Sequence, residues 1–333
     1  MTNSPLKKWL SFLSLPILFL IFGFALKNEA SKEKERGILA VLRKYQLAYD
    51  IDASSVSRSV MEGEKIVGID KLQEKIQELI ASHKPITFRM VGFPIKSINA
   101  EGKVLSSLPD MAERQSLVFL QKMLEEIGHI YSEGARLVIV CDGIAFADIL
   151  GITEKELLDY ENGLKVLIKD LPNISLITSK ELLLDGKLHG ALKQSTAKPC
   201  PVGLEPEVDL LSKRLEKDLL CKRGRNLLAS QHETKKTLAT KVLNASLCFS
   251  QFVKDKYASD DAILASVHFQ KDVSKKIGLK LSPTSEITPW HGVCILEKNG
   301  QFSIVHKSDI DPKKYELQGQ YIHGYWCSYY QAH

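Results

Sequence analysis

Apolar residues recur at Leu72, Ile76, Leu79 and Ile80, the spacing of one helix face, and predict a helix over 70–82. The next run, Ile86-Thr-Phe-Arg-Met-Val-Gly-Phe, is rich in β-branched and aromatic residues and stops at Pro94, which predicts a strand. Leu117, Leu120, Leu124 and Ile127 restore the helical period over 111–130. ARLVIVC (135–141) follows a Gly134 turn and is almost unbroken in hydrophobicity, as a strand covered on both faces would be. Helices are expected over 146–150 and 154–167, and a short strand over 174–178. Strands alternating with helices from 70 to 185 predict an α/β fold with a mostly parallel sheet flanked by helices.

Beyond this region the pattern changes. Residues 186–206 gather Gly186, Gly190, Pro199, Pro201, Gly203 and Pro206, and read as a loop or internal linker. Residues 207–256 are helical and rich in Lys and Leu. Strands are expected over 262–269 and 276–281. Two further apolar runs, 291–297 and 301–306, flank Asn299-Gly300, a strong signal for a C-terminal β-hairpin. Upstream, 31–48 reads as an amphipathic helix. Trp9–Leu26 holds 18 residues without a charge. As a helix it would be about 27 Å long, close to the ~30 Å hydrocarbon core of a bilayer. Residues 1–30 are therefore expected to be a signal-anchor or a cleaved signal peptide, and 31–333 one folded body.

Charge sharpens that expectation. The chain has 333 residues, a net charge of +5 and 44% hydrophobic residues, which excludes a disordered chain or a polytopic membrane protein. Residues 1–44 hold eight basic and three acidic side chains, so the remaining 289 carry 37 of each sign. The basic excess belongs to the N-terminus and gives no reason to expect a nucleic-acid partner. Six basic residues lie soon after Leu26 and two before it. By the positive-inside rule this predicts a single-helix membrane anchor with the body in the cytoplasm; export by a cleaved signal is the alternative. The six cysteines are scattered, with no zinc-ligand spacing, and fit a reducing compartment.

No GxGxxG, GxxxxGK[ST], HExxH or GxSxG motif is present. Candidate chemistry comes from position. Ligands of open α/β sheets sit at the carboxyl ends of strands, where Lys96, Asp142 and His268 are expected, with His291 opening the hairpin. A lysine, a carboxylate and two histidines suit amine–carbonyl chemistry, in which an amine loses a proton and a carbinolamine loses water. Each also has an ordinary explanation: a solvated loop lysine, a helix-capping aspartate, a core histidine. Trp290 reads equally as packing. The basic stretch containing Arg223 and Arg225 could grip a phosphate or form a solvated helix face.

Several of these segments resemble one family. VGFPIKSINAEGKVLSSLPDMAERQSLVFLQKM is similar to the opening motif of the pyoverdine/dityrosine biosynthesis family, the isocyanide (isonitrile) synthases. GARLVIVCDGIAFADILGI resembles its second motif, and ASVHFQ, KKIGLKL and TPWHGV its third block, in order from about residue 40 to 310. The resemblance implies a Rossmann-like fold without a bound nucleotide. It implies condensation of the amino group of tyrosine or tryptophan with the ketone of ribulose 5-phosphate, a pentulose phosphate that supplies the isocyanide carbon. No metal or cofactor is implied, and a downstream iron/2-oxoglutarate oxygenase is the implied partner. Carried over by motif, Lys96, Asp142, His268 and His291 are the expected catalytic residues. Lys280, Arg223, Arg225 and Trp290 are the expected substrate-binding ones. The alternatives are an N-formyl amino-acid-forming enzyme on the same fold and a membrane-tethered binding protein. The sequence departs from the family pattern at Cys141, usually Ser, and at Ile144, usually polar or basic.

Overall fold

The structure is a computed structural model and describes residues 15–45, 69–184, 186–231, 233–257, 262–266 and 287–333. Its centre is a four-stranded parallel sheet of β1 (Ile86–Gly92), β2 (Ala135–Cys141), β3 (Ile174–Ile177) and β4 (Ala262–Ser266), in the order β3-β2-β1-β4. Helices cover both faces. Phe88, Met90, Leu137 and Ile139 point into one core with α1 (Leu15–Tyr45), α2 (Ile69–Ala81), α3 (Met111–Ile130) and α5 (Glu154–Leu167). Val140 and Val91 point the other way, with α4 (Gly143–Phe146) and the helices after β3. A sheet buried on both faces accounts for the unbroken hydrophobicity of ARLVIVC.

The Gly/Pro-rich stretch corrects one expectation. Residues 186–196 form a helix, α7 (Gly186–Thr196), after the short α6 (Ser179–Leu183); only 197–204 connect it to α8 (Glu205–Leu219). Gly186 and Gly190 have open space around them, while Leu188 and Leu192 anchor the helix in the second core. Apolar burial outweighs the modest helix cost of two glycines. The single helical stretch expected over 207–256 is three helices: α8, α9 (Lys222–Gln231) and α10 (Lys235–Tyr257). Gly224 permits the first break. A β-carbon there would lie 2.5 Å from the Leu219 Cα, so only glycine lets α9 fold back so tightly on the end of α8.

The C-terminal part is a mixed sheet, ordered β6-β5-β8-β7. The Asn299-Gly300 hairpin joins β5 (Val293–Leu296) to β6 (Phe302–Val305) as expected. A second hairpin, β7 (Tyr315–Ile322) and β8 (Tyr325–Ala332), was not foreseen. Cys294, Ile304 and Cys327 join the first core, so this sheet packs on the same side as α3. α1 is one helix whose second half buries Ile38, Leu42 and Tyr45. Among the described residues no helix is long and apolar enough to cross a membrane, and 9–14 of the expected anchor lie outside them. The strand expected over 276–281 also lies outside the described residues.

Candidate active site

β2 and β3 lie on one side of β1, whereas β4 lies on its other side, so the carboxyl ends of β1 and β4 bound a topological switch point. The chain leaving β1 builds the site there. Phe93 adopts a left-handed backbone (φ 57°), a strained conformation for a bulky residue. Its buried ring meets Trp290 edge-on, with centroids 5.3 Å apart, and this packing holds the turn. Pro94 follows, and its carbonyl approaches Gly143 so closely that a β-carbon on Gly143 would lie 2.1 Å away. Gly143→Ala is expected to destabilise the fold by about 1–3 kcal/mol, read as a lowered midpoint in denaturant unfolding.

Beyond Pro94 the loop borders a cavity of about 500 Å³, within the range of small-molecule sites. Ile95, Ser97, Ile98 and Glu101 form one wall; Cys221, Lys222, Arg223 and Asn226 at the start of α9 form another, with Ile152 and Glu156 between. The wall alternates in charge. Arg223 grips Glu156 through two guanidinium nitrogens (2.6 and 2.9 Å) and donates to the Gly151 carbonyl (2.7 Å). The Arg223 hydrogen bonds hold the Glu156 carboxyl well below its ordinary value, at about 2. Glu101 accepts the Lys222 backbone N–H (3.0 Å).

Lys96 belongs to this loop, but its ammonium turns inward. Its side chain has 0% exposure and Nζ lies 2.8 Å from Glu113 and 3.1 Å from Asp110. It also donates to the carbonyls of Pro289 (2.9 Å) and Gly292 (3.2 Å). Burial alone would lower the lysine's pKa; the two carboxylates outweigh it and raise it. Burial likewise pushes Glu113 up, against the pull of Lys96. Both acids come from the capping box that starts α3, in which Asp110 accepts from the Ala112 N–H and Glu113 from the Asp110 N–H. The group is a buried clasp joining the β1 loop, α3 and the 289–292 turn.

Asp142 ends β2 at the N-terminus of α4, but its side chain makes no capping bond. Its Oδ1 is buried without a partner. Burial pushes the carboxyl up to about 7, so the group exchanges protons near neutrality. Asp142 is not among the residues lining the cavity; it adjoins the cavity loop through the Gly143–Pro94 approach.

His291 lies in the 289–291 turn, its side chain 35% exposed, with Nδ1 3.4 Å from Asp218 at the end of α8. Asp218 also accepts from the Ser97 hydroxyl and from Lys103 Nζ (2.8 Å). Burial would raise the Asp218 carboxyl, but His291 and Lys103 outweigh it and hold it below the usual carboxylate range. His306 lies in the same neighbourhood; burial and Lys103 lower its pKa. The structure brings Lys96, Ser97 and Arg223 to one cavity; His291 is not among the lining residues and reaches the same loop through Asp218 and the Trp290 carbonyl. Of the other expected binding residues, Trp290 is 2% exposed and packs on Phe93, and Arg225 is exposed outside the cavity wall. His268 and Lys280 lie outside the described residues. Asp218, Lys103, Asp110 and Glu113 escaped the sequence reading. The capping-box spacing of Asp110 and Glu113 was their available signal, and nothing local marks Asp218. Among the described residues no three His, Cys, Asp or Glu side chains gather as a metal site. The departures at 141 and 144 are packing positions. Cys141 is fully buried, and burial raises its thiol well above the ordinary value; Ile144 packs against both cores.

A family model described as pyoverdine/dityrosine biosynthesis protein matches residues 76–205 and 208–318. An L-tyrosine isonitrile synthase of Pseudomonas aeruginosa is 29% identical over 291 residues, covering 80% of this chain and 85% of the relative. An L-tryptophan isonitrile synthase of Fischerella ambigua, AmbI2, is 27% identical over 258 residues, covering 72% and 76%. The crystal structure of the PvcA protein from Pseudomonas aeruginosa superposes with a TM-score of 0.68 at 25% identity, covering 90% of this chain and 99% of that one.

Proposed function

Because this chain belongs to the pyoverdine/dityrosine biosynthesis family, we propose that it condenses the amino group of tyrosine or tryptophan with the ketone of ribulose 5-phosphate to give an isocyanide. Its likeness to isonitrile synthases extends over most of the chain. The observation carrying the reading is the cavity beside the loop after β1, whose wall pairs Arg223 with Glu156 and sets Glu101 beside the Lys222 backbone. Alternating charges of this kind suit an amino-acid zwitterion, and cations at a helix start suit a sugar phosphate.

Burial and bonding partners support the following roles. An amino acid arrives as an ammonium and must lose a proton before nitrogen attacks the ketone. Asp142 stands behind the cavity wall, next to the Gly143–Pro94 contact, and its unpartnered oxygen and carboxyl near 7 support it as the group that takes that proton and returns it when the carbinolamine loses water. His291 is the second proton-transfer group. Lys96 holds the loop and the 289–292 turn together and takes no part as a nucleophile, because its ammonium is committed to two carboxylates and two carbonyls. Purified protein given ribulose 5-phosphate with each amino acid in turn should form isocyanide with tyrosine or tryptophan. Absence of isocyanide with both would overturn the reading.

The N-terminal segment is proposed to tether the body on the cytoplasmic side, where a pentose phosphate would be met. The support is the basic flank after Leu26. Membrane fractions should then contain the intact chain, with its body protected from protease added outside intact cells. A chain shortened at its N-terminus and released outside the cell would contradict this.

A further inference from the structure

Resting on the reading above, we propose that Asp218 is a positioning residue. It fixes the His291 ring with the proton on Nδ1, so that Nε2 is left as the atom that exchanges a proton with substrate. The support is geometric. His291 Nδ1 is buried and has no aligned hydrogen-bond partner, and the Asp218 carboxylate lies 3.4 Å from it. Closing that gap by about 0.5 Å would complete a hydrogen bond, and such contacts commonly tighten when substrate binds.

Asp218 is built to stay ionised and fixed. The Ser97 hydroxyl and Lys103 Nζ hold its two oxygens, and the side chain is almost wholly enclosed. Ser97 and Lys103 come from the loop after β1, and Asn99 of the same loop donates to the Lys217 carbonyl (2.7 Å), clamping the loop to the end of α8. The Ser97 N–H donates to the Trp290 carbonyl (2.8 Å), fixing the turn that carries His291. A carboxylate facing one imidazole nitrogen selects the tautomer and orients the ring, which sets what the other nitrogen can do. Because Ser97 also borders the cavity, movement of the loop on substrate binding would pass directly to Asp218.

The test uses the full chain with ¹⁵N-labelled histidine, whose ring-nitrogen shifts report the tautomer. His291→Gln assigns the signal. In the unsubstituted protein His291 should carry its proton on Nδ1. In Asp218→Asn the amide can donate to Nδ1, and the proton should move to Nε2. Isocyanide formation should then fall by about 100-fold in kcat, with KM for the amino acid within about twofold. Adding His291→Gln should produce no further loss. If Asp218→Asn does not fold because Lys103 is left unpaired, Lys103→Met/Asp218→Asn removes the pair together and should also abolish the Nδ1-protonated signal. An unchanged tautomer in either folded variant, or a proton on Nε2 in the unsubstituted protein, would overturn the proposal. A tautomer swap in a chain that makes no isocyanide would keep the positioning role and overturn only the reaction.

Discussion

Replacing Lys96 with Met should cost about 3–5 kcal/mol of folding stability, because it strands Asp110 and Glu113 as buried acids without their cation. A loss of that size is a large share of the stability of an ordinary domain. Chemical denaturation should show it as a lower midpoint with a similar slope. The variant Lys96→Met/Asp110→Asn/Glu113→Gln removes the charges as a set and should recover much of the loss. The Asp110 change keeps a capping side chain at the start of α3. Activity per folded molecule should survive in this triple variant. A stably folded Lys96→Met protein with no activity would instead place the lysine in the chemistry.

Asp142→Asn should act in the opposite sense on stability and abolish turnover. In the folded chain the Asp142 carboxyl titrates at about 7, whereas an unfolded aspartate titrates at about 3.9. The folded state therefore binds more protons between these values. Stability falls as pH rises through this window, and the loss is complete above the folded value. Asn cannot ionise, so the variant should match the parent near pH 4 and be more stable at pH 8. Its kcat should fall by about 100-fold or more if Asp142 carries protons at the amine. Equal stability at pH 8, or unimpaired turnover, would remove Asp142 from that role. A gain in stability with a loss of activity is the pattern expected of a group kept in an unfavourable setting for function.

What could be read from the sequence was what depends on neighbours along the chain. The β2 run, the Asn299-Gly300 hairpin and the α3 periodicity are local, and each matches the structure. The β7–β8 hairpin had a weaker local signal. His323 and Gly324 both have positive φ, as a tight two-residue turn requires, but His-Gly is a poorer marker than Asn-Gly. Site chemistry was less legible because it depends on distant pairs. Lys96 meets carbonyls 193 and 196 positions away, so its loop position suggested a solvated or reactive amine while its real setting is a sealed ion cluster. Ser97 meets Asp218 across 121 positions, and no periodicity records that meeting. Trp290 was legible as an important residue, and the structure packs it, 2% exposed, against Phe93.

The central claim is most directly tested with ribulose 5-phosphate carrying ¹³C at its ketone carbon. The full chain would be incubated with this sugar and L-tyrosine or L-tryptophan, and the products followed by ¹³C NMR and mass spectrometry. The account predicts an amino-acid isocyanide whose terminal carbon is labelled. Label appearing in an N-formyl amino acid, or remaining wholly in the sugar phosphate, would contradict it.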